Sequence, residues 1–198
     1  MEGCMNKNVL LVGLLYCVVA TGVLAADKPE KIKAQTSLGL YVTAQEAWTK
    51  LQADDSAILV DVRDPVEIKF TGFASSTHIH VPWMLADING WSDKQSSWSM
   101  VKNPAFSSQV LDKLDKAGAT LDTTIIVMCR SGSSRSAPAV NLLAAKGYKQ
   151  VWTVVDGFEG STLKEGDSKG VRAANGWRNA GLPWSYKIDP AVAWQAAK

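Results

Sequence analysis

Residues 123–146 read TTIIVMCRSGSSRSAPAVNLLAAK, and the reading of this stretch decides the fold. Thr123 to Met128 is an unbroken run of β-branched and apolar residues, the pattern of a strand buried on both faces. Ser136 to Lys146 is a helix with Ala139, Val140, Leu142 and Leu143 apolar and Gly147 at its end. Between them lie Cys129, Arg130, Ser131, Gly132, Ser133, Ser134 and Arg135. In an open parallel sheet, ligands bind at the carboxyl ends of strands, and a helix N-terminus there offers free N–H groups and partial positive charge. A loop wrapped around the cysteine aims such donors at its sulfur. Gly132 permits the tight turn, the serines add hydroxyl donors, and Arg130 and Arg135 add fixed charge. Settings of this kind bring a cysteine pKa from about 8.5 to roughly 3.5–7.5. Cys129 is therefore the expected nucleophile, with residues 130–135 as the expected substrate-binding loop.

The same alternation extends outward. Thr43 followed by Glu46 has the form of a capping box, opening a helix to about Ala53 with Ala47, Trp48 and Leu51 on one face. Ala57 to Val62 predicts a buried strand, Pro65 a short helix from Val66 to about Phe70, and Thr77 to Val81 a further strand. Asn103-Pro104 precede a helix carrying Phe106, Val110, Leu111 and Leu114, and Val151 to Val155 predicts another strand. Strands alternating with amphipathic helices imply a mostly parallel sheet covered on both faces. Residues 83–102 break this rhythm. Trp83, Trp91 and Trp98 stand among polar residues without a clean period, so the stretch reads as a long excursion or lid, its tryptophans serving packing or lining an acceptor surface.

Over 198 residues the net charge is +2, which argues against a nucleic-acid-binding surface. Residues 1–25 read as a signal peptide: an apolar run from Val9 to Ala20, then Val23-Leu24-Ala25 before a break at Ala26. Its removal would take Cys4 and Cys17 and leave Cys129 as the lone thiol, with no membrane span, in a periplasmic or secreted protein. The expected layout is a signal peptide at 1–25, a loose linker at 26–40, a domain at 41–186 and a tail at 187–198. The Gly- and Trp-rich stretch 156–186 is expected to pack back on the domain.

Several segments together carry a resemblance: Ile58-Leu59-Val60-Asp61-Val62-Arg63 with Glu67 and Phe70-Thr71-Gly72, His80-Val81-Pro82, the Cys129-Arg130-Ser131-Gly132 loop with Arg135-Ser136, and Asp156-Gly157-Phe158. In this order and spacing they resemble the rhodanese-like domain over about Tyr41 to Gly160. The resemblance implies a five-stranded, mostly parallel sheet with helices on both faces. It also implies sulfurtransferase chemistry without metal or organic cofactor: Cys129 takes sulfane sulfur from a small donor as a persulfide and passes it to a thiol acceptor, possibly a protein. Asp61, Arg63 and Glu67 are implied as structural support, with Arg63 and Glu67 pairing at the sheet edge. His78 and His80 alternate on a strand and, lacking further ligands, are expected to be structural.

The loop is one residue longer than the common sulfurtransferase form. Five residues separate Cys129 from Arg135, the spacing of tyrosine phosphatases and of rhodanese-fold phosphatases and arsenate reductases. An oxyanion enzyme gripping its substrate with Arg135 is thus an alternative, with Asp87 or Asp93 as the candidate general acid. A non-catalytic binding module is a second alternative.

Overall fold

The computed structural model describes residues 25–196. The expected signal peptide, with Cys4 and Cys17, lies almost wholly outside the described residues. Five short strands form the central sheet: β1 (Tyr41–Val42), β2 (Ile58–Asp61), β4 (Ile79–His80), β7 (Ile125–Met128) and β8 (Val151–Val154). Their order is β1-β8-β7-β2-β4, and every neighbouring pair is parallel. The helices are α1 (Ala44–Ala53), α2 (Pro65–Thr71), α3 (Phe106–Lys116) and α4 (Ser136–Ala145).

Alternation along the strands builds the two faces of the core. Ile58, Val60, Ile125 and Val127 pack with Phe106, Val110 and Leu114 of α3 and Ala139, Val140 and Leu143 of α4. Leu59, Ile126 and Met128 point the other way, onto Ala47 and Leu51 of α1 and onto Phe158 and Trp177. This double burial is why the strands read as continuous apolar runs. The ends of the helices follow local chemistry. Glu46 N donates to Thr43 Oγ1 at 3.2 Å while Thr43 N donates to Glu46 Oε2 at 2.7 Å, closing the capping box on α1. Val66 N donates to Asp64 Oδ1 at 2.6 Å at the start of α2, behind Pro65.

Three expectations are corrected. The stretch 83–102 is regular: β5 (Met84–Ser92) and β6 (Ser97–Lys102) form a two-stranded antiparallel ribbon. A register shift between Asp87 and Trp91 hides its period from the sequence. The strand expected over 77–81 is shorter: Ile79 and His80 stand in register with Val60 and Asp61 of β2, while His78 N and Val81 N at its ends donate to the carbonyls of Leu59 and Asp61. Residues 26–40 are not loose: Ala26 N donates to the carbonyl of Tyr41 at 3.0 Å, Ser37 N donates to Asn141 Oδ1 at 2.7 Å, and Ala34 is buried. The tail from 187 is docked as well. Trp194 packs against the core, donates from its indole to Gln109 Oε1 at 2.9 Å, and donates from its backbone N to His80 Nδ1 at 3.2 Å.

Within 156–186, Trp177 is fully buried edge-on against Trp48, with ring centroids 5.9 Å apart. β3 (Phe73–Ala74) pairs antiparallel with β9 (Trp184–Ser185). Among the described residues no helix is long and apolar enough to cross a membrane.

Candidate active site

β7 delivers Cys129 to the carboxyl edge of the sheet, and the chain then turns through residues 130–135 into α4. Two glycines make the turn possible. Gly132 has φ +66°, and a Cβ there would sit 2.0 Å from the carbonyl oxygen of Val155. Gly157 has φ +65°, and its Cβ would sit 2.5 Å from the carbonyl oxygen of Cys129. The turn at 157–160 backs the loop directly. Phe158 N donates to the Cys129 carbonyl at 2.9 Å, and Glu159 N donates to that of Arg130 at 3.0 Å.

Cys129 is 2% exposed, and its sulfur lies 3.4 Å from Ser136 Oγ. Burial pushes its thiol up, but the Arg135 charge, the Ser136 hydroxyl and the backbone N–H groups of Ser131 and Ser136 outweigh it. The net position is below the ordinary thiol range. Arg135 is buried and held through Nη1 and Nη2 by both carboxylate oxygens of Glu67, the Nη2–Oε1 distance being 3.0 Å. Burial disfavours its charge, but Glu67, Cys129 and Asp61 reverse this, so its pKa is raised and the charge is permanent.

The pairing expected between Arg63 and Glu67 is not formed. Arg63 is fully buried and binds Asp61, with Nε 2.9 Å and Nη2 2.6 Å from Oδ2. It also donates from Nη1 to Thr71 Oγ1 at 2.9 Å and from Nη2 to the Gly72 carbonyl at 3.0 Å, and its guanidinium lies 3.9 Å from the Phe158 ring centre. Two residues apart at a strand end, Asp61 and Arg63 close on each other, which leaves Glu67 for the loop. Glu67 also lies 4.0 Å from Arg130 Nε, which donates to Glu159 Oε2 at 2.7 Å; Glu159 in turn accepts from Arg178 Nη2 at 3.3 Å. Charges therefore alternate from Arg135 through Glu67, Arg130 and Glu159 to Arg178.

His78 and His80 do not share a site. His78 is exposed and accepts from Leu59 N at 3.0 Å through Nδ1; His80 is buried and engages the Arg63 carbonyl at 2.9 Å through Nε2. No cluster of potential metal ligands occurs among the described residues.

Above the loop lies a cleft of about 820 Å³. Arg130, Ser131, Ser134 and Arg135 form its floor, Arg172 one side, and the ribbon the other through Ser92, Gln95, Ser97, Ser99, Met84 and Met100. Trp91 and Trp98 do not line it. Trp98 alternates with Ser97 and Ser99, so its ring projects from the opposite face, where it meets Trp91 edge-on at 6.5 Å. Both rings are about 60% exposed, at 61% and 60%. Trp83 is the packing residue of the three, 4.8 Å from Phe106 between ring centroids. Sequence reasoning missed the roles of Ser136, Glu159 and Arg172. Ser136 was signalled by its place at the first position of α4, whereas Arg172 carries no local signal.

The sequence pattern of the rhodanese-like domain family matches residues 43–163. A thiosulfate sulfurtransferase of Actinobacillus succinogenes, GlpE, is 27% identical over 152 residues, covering 75% of this chain and 95% of its own. An uncharacterized protein of Rickettsia prowazekii, RP600, is 28% identical over 145 residues, covering 73% of this chain and 96% of its own. Among solved structures, Rv0390 from M. tuberculosis superposes with a TM-score of 0.56 at 29% identity, covering 74% of this chain and 97% of that one.

Proposed function

Because this chain belongs to the rhodanese-like domain family, we propose that it is a sulfurtransferase working through a Cys129 persulfide. One observation carries the reading: a buried cysteine whose pKa is lowered by Arg135, the Ser136 hydroxyl and two backbone N–H groups. The thiolate attacks the outer sulfur of a donor such as thiosulfate. A bond forms between Sγ and that sulfur, the donor's S–S bond breaks, and sulfite leaves with the electron pair. Both reactants are anions, so Arg130, Arg135 and Arg172 lower the cost of their approach. An acceptor thiolate then attacks the terminal sulfur of the persulfide, and the pair returns to Cys129. With Cys129 2% exposed, the reacting partner is a protruding terminal atom. The features of residues 1–25 support export, in which case donor and acceptor are met outside the cytoplasm.

The oxyanion alternative has weaker support. Glu67 occupies the Nη1–Nη2 edge of Arg135, and neither Asp87 nor Asp93 lines the cleft. Intact-mass measurement after incubation with thiosulfate tests the reading. The protein should gain the mass of one sulfur, releasable by a thiol and absent in Cys129→Ser. An unchanged mass, with hydrolysis of an aryl phosphate that Arg135→Ala abolishes, would favour the oxyanion reading. Neither reaction would leave the binding-module reading.

A further inference from the structure

We propose that the cleft between the ribbon and the Cys129 loop binds the sulfur acceptor and selects a peptide-sized thiol bearing two or more carboxylates. This rests on the persulfide reading above and names the acceptor class for it. Three observations carry it. The first is size: about 820 Å³ lies in the range of sites for organic ligands, about 300–1,000 Å³, and far exceeds what a small oxyanion fills.

The second is charge. The lining holds three arginines and no carboxylate. Arg130 is paired with Glu159 and Arg135 with Glu67, but Arg172 forms no ion pair among the described residues. Its Nη1 donates to the Gly160 carbonyl at 2.6 Å, which satisfies one N–H and no charge. Desolvation and the charge of Arg130 disfavour its half-buried guanidinium, and Glu159 and Glu67 offset this only in part, without pairing with it. A carboxylate arriving in the cleft supplies the direct ion pair that Arg172 lacks among the described residues.

The third is where the walls come from. Arg172 lies beyond residues 43–163, the part matched by the family pattern, and the ribbon is separate from the five-stranded sheet. Both walls lie outside the Cys129 loop itself, so they shape the mouth without altering the loop that holds the sulfur. Ser92, Ser97 and Ser99 line the ribbon side with hydroxyls, suited to the amide groups of a peptide. In the transfer step the acceptor thiolate attacks the terminal sulfur of Cys129–S–SH. The S–S bond breaks, Cys129 leaves as thiolate, and the acceptor leaves as R–S–SH with no net oxidation.

The test loads the full chain with thiosulfate, removes excess donor, and follows loss of the added sulfur mass. The acceptors are the blocked tripeptides Glu-Cys-Glu and Lys-Cys-Lys. Flanking lysines favour the thiolate, so intrinsic reactivity favours the basic peptide. The expected result is the reverse order, with Glu-Cys-Glu at least about tenfold faster at low salt and the advantage shrinking as salt rises. Arg172→Gln should remove most of the ratio and Arg172→Lys should keep it. The ratio is read within each variant, so a general loss of activity cancels. The same Glu-Cys-Glu sequence displayed in a loop of a carrier protein distinguishes the sources: faster discharge by the carrier assigns a protein segment, faster discharge by the free peptide a small thiol. Equal rates for the two peptides, or a ratio unchanged by Arg172→Gln, would overturn the inference alone. Failure to load sulfur would remove the persulfide reading as well.

Discussion

The Cys129 loop and the β5–β6 ribbon face each other across one cleft and are built on opposite physical plans. The loop is clamped. Its carbonyls are held by the 157–160 turn, its sulfur by Ser136, and Arg135 by both oxygens of Glu67. The ribbon stands outside the main sheet, and among the described residues no third strand pairs with either edge. Two-stranded hairpins are marginal by themselves. This one is tied at its base, where Ala86 N donates to Asp64 Oδ2 at 2.7 Å and Trp83 packs on Phe106. Near its tip it is stapled by the cross-strand pair Trp91–Trp98. The difference teaches that the Cys129 sulfur is held by parts of the fold that cannot move independently. The wall opposite it belongs to an element that can vary without disturbing the core.

Four experiments sharpen or break this contrast. The largest effect is expected from Cys129→Ser, which should reduce sulfur loading by about a thousandfold or more while amide exchange over 84–102 stays unchanged. A ribbon that loosened in this variant would mean the two regions are coupled. Next, Asp61→Ala strands the buried Arg63 charge and should cost about 3–5 kcal/mol in urea unfolding. The same truncation on the ribbon, Asp93→Ala, should stay within about 0.5 kcal/mol.

The third concerns pH. Alkylation of Cys129 should set in below the ordinary thiol range, and Ser136→Ala should move the profile upward because the thiolate loses a donor. The sign for stability follows: a thiol depressed on folding contributes stability fully present above its unfolded pKa and lost as pH falls through the folded one. An unshifted profile in Ser136→Ala would exclude the hydroxyl from the electrostatics of the sulfur. The smallest effect belongs to Trp98→Ser, about 0.2–1 kcal/mol, read as faster amide exchange confined to 84–102 with sulfur loading from thiosulfate unchanged. Slower loading would place the Trp pair in the first half-reaction.

Much of the frame was legible because it rests on local rules. The Thr43–Glu46 box, Pro65 behind Asp64, and the apolar run into Cys129 each concern residues a few positions apart, and each appears as read. The paired strands of the ribbon were not legible, because the irregularity between Asp87 and Trp91 breaks the period that a strand would show. The partner of Glu67 was misassigned for a related reason. Arg63 and Arg135 are both arginines, and only the packing of α2 against the loop decides which one it meets.

The sequence by itself determined the α/β frame, the cysteine at the strand end and the loop around it, because buried-strand periodicity, helix capping and glycine at positive φ are written in neighbouring residues. The tertiary structure alone decided which charges pair, that Ser136 and two backbone N–H groups reach the sulfur, and that Arg172 and the ribbon close a basic cleft over it. Those outcomes depend on residues far apart in the chain, and their distances are set by how the sheet and helices pack.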